Sequence, residues 1–152
     1  MNLKDWDDVT TLLGREPRCG FEVVVRTTSG SPRVIRNDPL LYDGTPMPTL
    51  YWLLDPEDCL QVARLESEGG VKQAEVAVDA KALALAHARY GTERDMSLPF
   101  EYDGPRPSGG VGGCSKGVKC LHAHYAWLLA GGDDPVGKWM LTRFGKDQSD
   151  AS

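Results

Sequence analysis

Apolar side chains near the start of the chain repeat at the spacing of an α-helix. Within residues 5–13, one side of this helix carries Trp6, Val9 and Leu12 or Leu13. Gly14 follows directly, and a glycine there is typical of a helix end. The pattern therefore predicts a short N-terminal helix.

Three apolar segments farther along the chain are predicted strands. Phe21–Thr27 and Arg33–Arg36 contain many β-branched residues and lie on either side of a Ser-Gly-Ser-Pro turn, which predicts a hairpin. Thr49–Leu54 is apolar almost throughout, as a buried strand would be. Residues 37–48 between them contain three prolines, so we expect a loop ordered by packing and not by strand pairing.

The second half of the chain has helical patterns. Asp55 is a natural N-cap before Pro56, and this helix is predicted to end at Gly69-Gly70. The alanine-rich residues 71–90 predict a second helix that ends at Gly91. One face of that second helix consists of Val76, Ala80, Leu83, His87 and Tyr90.

Residues 96–113 form the longest irregular segment, with three prolines and five glycines. The helix predicted after it has an apolar stripe of Val118, Leu121, Tyr125 and Leu128 and ends at Gly131-Gly132. Asp134 before Pro135 predicts a last short helix.

Together these elements predict an α+β protein. A small N-terminal antiparallel sheet of about three strands is packed with three to four C-terminal helices. We expect a single domain over residues 1–146 and a frayed tail at residues 147–152.

Composition narrows the possible functions. The 17 basic and 22 acidic side chains give a formal net charge of -5, which disfavours general nucleic-acid binding. No secretory signal or membrane-spanning apolar segment is recognised, so we expect a cytoplasmic protein without membrane association. The four cysteines are then expected to be reduced thiols: Cys19, Cys59, Cys114 and Cys120.

The glycine-rich residues 109–117, GGVGGCSKG, are a candidate anion site. Glycines before a helix allow backbone N–H groups to converge on an anion, and Ser115, Lys116 and Lys119 add donors and charge. The order Ser115-Lys116-Gly117 does not match a P-loop. The alternative is a flexible connection that leads into the helix.

Cysteines and histidines cluster in the same part of the chain, as Cys114-x5-Cys120-x-His122-x-His124. This spacing matches no known zinc motif, so we predict no metal ligands and assign no cofactor. A reactive thiol is another possibility. Cys114 lies near a predicted helix N-terminus, and Cys120 is four residues from His124. The alternative is that these thiols are small buried hydrophobic groups and that His122 is a core histidine.

Two further residues are catalytic candidates beside Cys120 and His122. His87 lies on a helix face from which it can approach the glycine-rich loop, or it is a core histidine bonded to a backbone carbonyl. Asp43 can approach the same loop with Thr45 and Thr49, or it caps its own backbone in an Asp-Gly turn.

Five motifs occur in the order and spacing of a known family. They are LGREPR, DGTPMPTLYWL, RLESEG, AHARY and GVKCLHAHYAWLLAGGDDPVG. Over residues 12–136 the chain resembles domain of unknown function 501, a bacterial family found mainly in actinobacteria. The matching positions are Arg15, Arg18, Asp43, Gly44, Thr45, Pro48, Thr49, Arg64, Glu66, His87, Tyr90, Lys119, Cys120, His122, Pro135 and Gly137.

The resemblance implies no established activity. Family members often carry a cysteine pair in the hairpin, where this chain has Thr27, Thr28 and Ser29. They also often carry a histidine farther along the last long helix, near Trp127 of this chain. Both departures disfavour a metal, and His124 lies outside the family pattern. Family genes often lie beside those of a septum-formation initiator protein and an exopolyphosphatase, which implies a possible protein partner.

Three functions are left open by these features. The first is regulatory binding of an anionic, phosphate-bearing small molecule. The residues that would bind it are Arg15, Arg18, Thr45, Thr49, Lys116 and Lys119, with His87 and His122 orienting the ligand. The second is a hydrolase or transferase in which Cys120 or His122 reacts and Asp43 transfers protons. The third is a protein-interaction module for cell division or polyphosphate metabolism.

Overall fold

The computed structural model describes residues 2–145. The first helix, α1, spans Leu3–Leu13 and ends at Gly14 in the left-handed conformation, φ 78°. It begins two residues earlier than predicted, because the side chain of Asn2 accepts hydrogen bonds from the first N–H groups. The predicted tail at residues 147–152 lies outside the described residues.

Three antiparallel strands form one sheet in the order β1-β2-β3. They are β1 (Phe21–Arg26), β2 (Pro32–Asn37) and β3 (Tyr51–Leu53). Ile35 of β2 is paired with Val23 of β1 on one side and with Trp52 of β3 on the other. The predicted hairpin and third strand are therefore confirmed, although the third strand is shorter than predicted.

The prediction of one long helix over residues 71–90 is wrong, because two helices occupy this region. After α2 (Pro56–Ser67), helix α3 spans Gly70–Ala77 and helix α4 spans Ala80–Asp95. The break is at Val78, which is extended, and at Asp79, whose side chain accepts a hydrogen bond from Ala82 and begins a new helix.

The predicted common face and the predicted end of this helix are corrected as well. Val76 belongs to α3 and is 88% exposed. It therefore shares no face with Leu83, His87 and Tyr90, which are buried on α4. Gly91 does not end the helix. It lies inside α4, where a side chain would come within 3.2 Å of the Gly109 carbonyl oxygen.

Two helices complete the fold. Helix α5 (Leu121–Leu129) is buried except at His122, and α6 (Pro135–Arg143) is capped by Asp134 as predicted. Val118 of the predicted stripe is buried but precedes α5. The α+β class with an N-terminal antiparallel sheet is confirmed. Within residues 2–145, five α-helices follow the sheet where three to four were expected, because residues 71–90 are divided.

The sheet separates two apolar clusters. Alternate residues of β2 face opposite sides, so Val34 packs with the helices around α5, whereas Ile35 packs with Val9 of α1. Among residues 2–145, every helix falls short of the length and apolar character that crossing a bilayer would need.

Candidate functional site

Hydrogen bonds with His87 connect the glycine-rich loop to α4. The Val111 N–H donates to His87 Nδ1 over 3.0 Å, and His87 Nε2 lies 2.8 Å from the Gly117 carbonyl oxygen. Since an N–H can only donate and a carbonyl can only accept, Nδ1 is bare and Nε2 carries the hydrogen. Both ring nitrogens are engaged and the residue is buried, as expected for a core histidine bonded to a carbonyl.

Carboxylates from elsewhere in the chain bind N–H groups at the end of this loop. Glu75 accepts from the Val118 N–H over 2.7 Å, and Glu66 accepts from the Leu121 N–H over 3.0 Å. The positive N-terminus of α5 is therefore neutralised in part by the protein itself.

A pocket of about 370 Å³ lies between α4 and the glycine-rich loop. We call it the Arg94 pocket, and its lining includes Arg94, His87, Ala88, Thr92, Ser108 and Ser115. Arg94 is only 1% exposed. Its Nη1 donates to the carbonyl oxygens of Pro48 and Gly109, each over 3.0 Å, and its Nε donates to Asp95. Within residues 2–145, Nη2 has no hydrogen-bond partner, so two N–H groups remain available.

A second cluster joins Glu66 of α2 to Cys120 and His122 at the start of α5. One donor atom from each residue lies within 4.8 Å of those of the other two. His122 Nδ1 is 3.2 Å from a Glu66 carboxylate oxygen, and His122 Nε2 is 3.3 Å from the Cys59 carbonyl oxygen. We call these three residues the Glu66–Cys120–His122 cluster.

The pKa values of Cys120 and His122 are shifted in opposite directions by their contact. Burial acts to raise the pKa of Cys120, but hydrogen bonds from His122 and from the Ala123 N–H outweigh it, so the pKa is lowered. The hydrogen bond with Cys120 raises the pKa of His122 against the effect of burial, and Glu66 raises it further.

His124 is paired elsewhere, with Asp134. Its Nδ1 lies 2.7 Å from an Asp134 carboxylate oxygen, and both side chains are fully buried. The expected approach of Cys120 to His124 is not found. Cys120 is the extended N-cap of α5, so the helical spacing of four residues does not apply to it. His122 lies beside Cys120 instead, partly exposed at the surface.

Comparison with known proteins identifies a family. A family model described as a protein of unknown function, DUF501, matches residues 23–142. The chain belongs to the DUF501 family. The resemblance found in the motifs is thereby confirmed, whereas the actinobacterial distribution stays a prediction. Neither a search of curated proteins nor a search of solved structures gives a match.

In the DUF501 chain, the residues predicted to bind an anion lie in different places. Arg15, Arg18 and Asp43 line a pocket of about 570 Å³ formed by the loops before β1 and after β2. There Asp43 accepts a hydrogen bond from the Thr45 N–H over 2.9 Å, which is the capped turn considered above and lowers the pKa of Asp43. Thr49 contributes a carbonyl oxygen that accepts from Asn37.

The predicted lysines lie elsewhere in the DUF501 chain. Lys116 lines a different pocket, of about 460 Å³, with Lys81 and Glu75, and Lys119 is exposed. Among the pockets of residues 2–145 described above, Lys116 therefore lines a different one from Arg15 and Arg18. Burial raises the pKa of the Cys114 thiol, so this residue lacks the lowered pKa that a reactive thiol needs.

Two residues that shape the DUF501 sites were missing from the predicted set. Arg94 lies beyond the predicted helix end at Gly91 and therefore appeared to belong to a loop. Glu66 belongs to the RLESEG motif, but no spacing along the chain connects it with Cys120. The available signal was that Glu66 is a charged residue in a motif that otherwise indicates a helix end.

Lowering the pH is expected to destabilise the DUF501 protein partly through His87. Burial lowers the pKa of His87 from its ordinary 6.5. The Gly117 carbonyl opposes this shift, His124 adds to it, and Asp134 opposes it. The unfolded chain then binds a proton below about pH 6.5 that the folded protein does not. This contribution to stability is therefore complete above that pH and falls by at most about 1.4 kcal/mol per pH unit as the pH decreases.

The variant His87→Gln provides the comparison, since glutamine keeps a donor and an acceptor but does not titrate. Urea denaturation between about pH 8 and 5 measures the free energy of unfolding of both proteins. We expect the advantage of the wild type over the variant to shrink as the pH falls. A difference that is constant with pH would contradict this assignment of His87.

Proposed function

We propose that this DUF501 protein binds an anionic, phosphate-bearing small molecule in the Arg94 pocket and acts as a regulatory domain. The observation that carries the proposal is a guanidinium that is almost fully buried, lines a pocket and, within residues 2–145, has two N–H groups on Nη2 without a partner. Asp95 pairs with the Nε edge of this cation, and an anionic ligand would bind the Nη2 edge, which has no partner within residues 2–145.

The other groups that line the Arg94 pocket suit a small phosphorylated ligand. Thr92, Ser108 and Ser115 provide hydroxyl donors, and the volume of about 370 Å³ lies in the range of small-molecule sites. Asp95 already takes the Nε–H of Arg94, which limits the net positive charge. A single phosphate group therefore suits the pocket better than a polyphosphate chain.

Charge from a neighbouring pocket supports the same proposal. Lys81 and Lys116 line the adjacent 460 Å³ pocket, and Ala84 of α4 lines both pockets. These lysines would attract an anion to this side of α4. Lys116 thus keeps part of the role predicted for it, whereas Arg15 and Arg18 would not contact the same ligand.

The segments that Arg94 connects support a regulatory role. Its guanidinium joins Pro48, ahead of β3, to Gly109 of the glycine-rich loop. A ligand on Arg94 would stabilise both segments together, because it binds only the arrangement in which they meet. His87 also lines this pocket, but both its ring nitrogens are engaged, so it offers no base for a reaction there.

Ala88→Glu is expected to weaken phosphate binding about tenfold or more. Ala88 is exposed on α4 and lines the Arg94 pocket, so a carboxylate there would repel an anion without disturbing the core. Ala88→Lys should strengthen binding. Isothermal titration of chelator-treated protein with inorganic phosphate measures both effects.

Leu85→Glu is the matched control. Leu85 is 54% exposed on the same helix and does not line the Arg94 pocket, so the variant carries the same charge change elsewhere. Its phosphate affinity should equal that of the wild type. Equal affinities for the wild type and both Ala88 variants, or no heat of binding in any of them, would contradict the proposal.

The other functions considered from the sequence stay predictions. A hydrolase or transferase would use Cys120 and His122, which lie outside the Arg94 pocket. An interaction with a septum-formation initiator or an exopolyphosphatase, and a cytoplasmic location, likewise await direct tests.

A further inference from the structure

We infer that the Glu66–Cys120–His122 cluster binds a divalent transition-metal ion, with Zn²⁺ as the ion that suits it best. This site shares no residue with the Arg94 pocket and does not depend on the proposed anion binding. It also differs from the sequence expectation of no metal, which rested on spacings within one segment of the chain and on two departures from the family pattern. The third ligand, Glu66, comes from α2.

The hydrogen-bond geometry of His122 favours a proton or a cation between its Nδ1 and the Glu66 carboxylate. His122 Nε2 faces the Cys59 carbonyl oxygen over 3.3 Å, so Nε2 carries a hydrogen. In the neutral ring, Nδ1 is then a bare lone pair, and it lies 3.2 Å from a Glu66 carboxylate oxygen. Two acceptors at that distance repel each other. Either a proton on Nδ1 or a metal ion resolves the conflict.

Two of the three side chains are also oriented from outside the cluster. The second oxygen of Glu66 accepts from the Leu121 N–H over 3.0 Å, and His122 donates to the Cys59 carbonyl. Metal ligands in proteins are typically held in this way, by one hydrogen bond on the atom that faces away from the ion.

The chemistry of the ligands selects the class of ion. Thiolate and imidazole are ligands of zinc and related transition metals, whereas Mg²⁺ and Ca²⁺ require oxygen. A thiolate and a carboxylate would balance the charge of a divalent cation, which a single proton does not do. The Glu66 and His122 side chains are about a third exposed, so a water molecule can complete the coordination.

Cobalt substitution tests the inference on the full-length, chelator-treated protein. Titration with Co²⁺ should give one bound ion, with a thiolate-to-cobalt band in the near ultraviolet and the visible bands of four-coordinate cobalt. Zn²⁺ should then displace it. In Cys120→Ser the thiolate band should disappear, and in Glu66→Gln and His122→Ala the affinity should fall at least about a hundredfold.

Two control variants separate this site from its surroundings. Cys59→Ser removes a neighbouring thiol whose sulfur donates to the Leu53 carbonyl. Glu75→Gln alters the other carboxylate that accepts a hydrogen bond from the chain near α5. Both variants should bind Co²⁺ like the wild type, and circular dichroism should show every variant to be folded.

Two results would overturn the inference. If the wild type gives no thiolate-to-cobalt band, the cluster does not bind a transition metal through Cys120. If folded Cys120→Ser and Glu66→Gln bind Co²⁺ as tightly as the wild type, the ion lies elsewhere. Phosphate binding by Cys120→Ser is expected to be unchanged, so failure here is distinguishable from failure of the Arg94 pocket.

Discussion

Gly110→Ala is expected to lower the free energy of unfolding by about 3 kcal/mol. A methyl group at Gly110 would lie 2.5 Å from His87 Cβ and 2.6 Å from His87 Cα. These atoms belong to the buried side of α4 and cannot rotate away. Relieving such overpacking typically costs about 1–3 kcal/mol, and moving the loop would also break the bond between the Val111 N–H and His87, worth about 1 kcal/mol.

Gly113→Ala is the matched control in the same loop. Gly113 has φ 82°, but a methyl group there would meet no atom within 4 Å. Only the strain of the left-handed conformation is expected, about 1–2 kcal/mol. Denaturant unfolding measures both variants. If Gly110→Ala were as stable as Gly113→Ala, the close contact between the loop and α4 would not determine stability.

Local signals explain which elements the sequence predicts well. Asp55 and Asp134 each precede a proline and cap the helix that follows, so these two helices begin where expected. At Asp79 an aspartate also caps the next helix, but Ala80 follows it in place of a proline, and the alanine-rich residues 71–90 predict a continuous helix. Gly91 is a different case. It serves close packing against Gly109 inside a helix, and this contact is not visible in a local pattern.

The candidate sites were located in part. The sequence points to the glycine-rich loop and to Cys120 and His122, and the structure brings His87 to that loop. The missing members act over long separations. Glu66 bonds the N–H of Leu121, 55 residues away, and Arg94 bonds the carbonyl of Pro48, 46 residues away. The packing of α2 and α4 determines these partners, and the spacing of residues along the chain does not predict them.

Asp134→Ala is expected to destabilise the protein most, by about 4 kcal/mol. One carboxylate oxygen of Asp134 accepts the Val136 N–H over 3.0 Å and caps α6, which is worth about 1 kcal/mol. The other oxygen is 2.7 Å from His124 Nδ1, and both side chains are fully buried. Breaking a buried pair of this kind costs about 3 kcal/mol or more, because the remaining partner stays desolvated.

Two comparison variants separate the contribution of the helix cap from that of the buried Asp134–His124 pair. Asp133→Ala removes an exposed carboxylate that pairs with Lys138 and Arg89, and it should cost less than about 0.5 kcal/mol. Asp55→Ala removes a cap of the same kind from α2, without a buried histidine, and should cost about 1 kcal/mol. Urea unfolding of all three variants provides the test. Among residues 2–145, His124 Nε2 is already buried without a partner, so Asp134→Ala would leave neither ring nitrogen bonded to any of them. A loss no larger than that of Asp55→Ala would show that the Asp134–His124 pair contributes nothing beyond the cap.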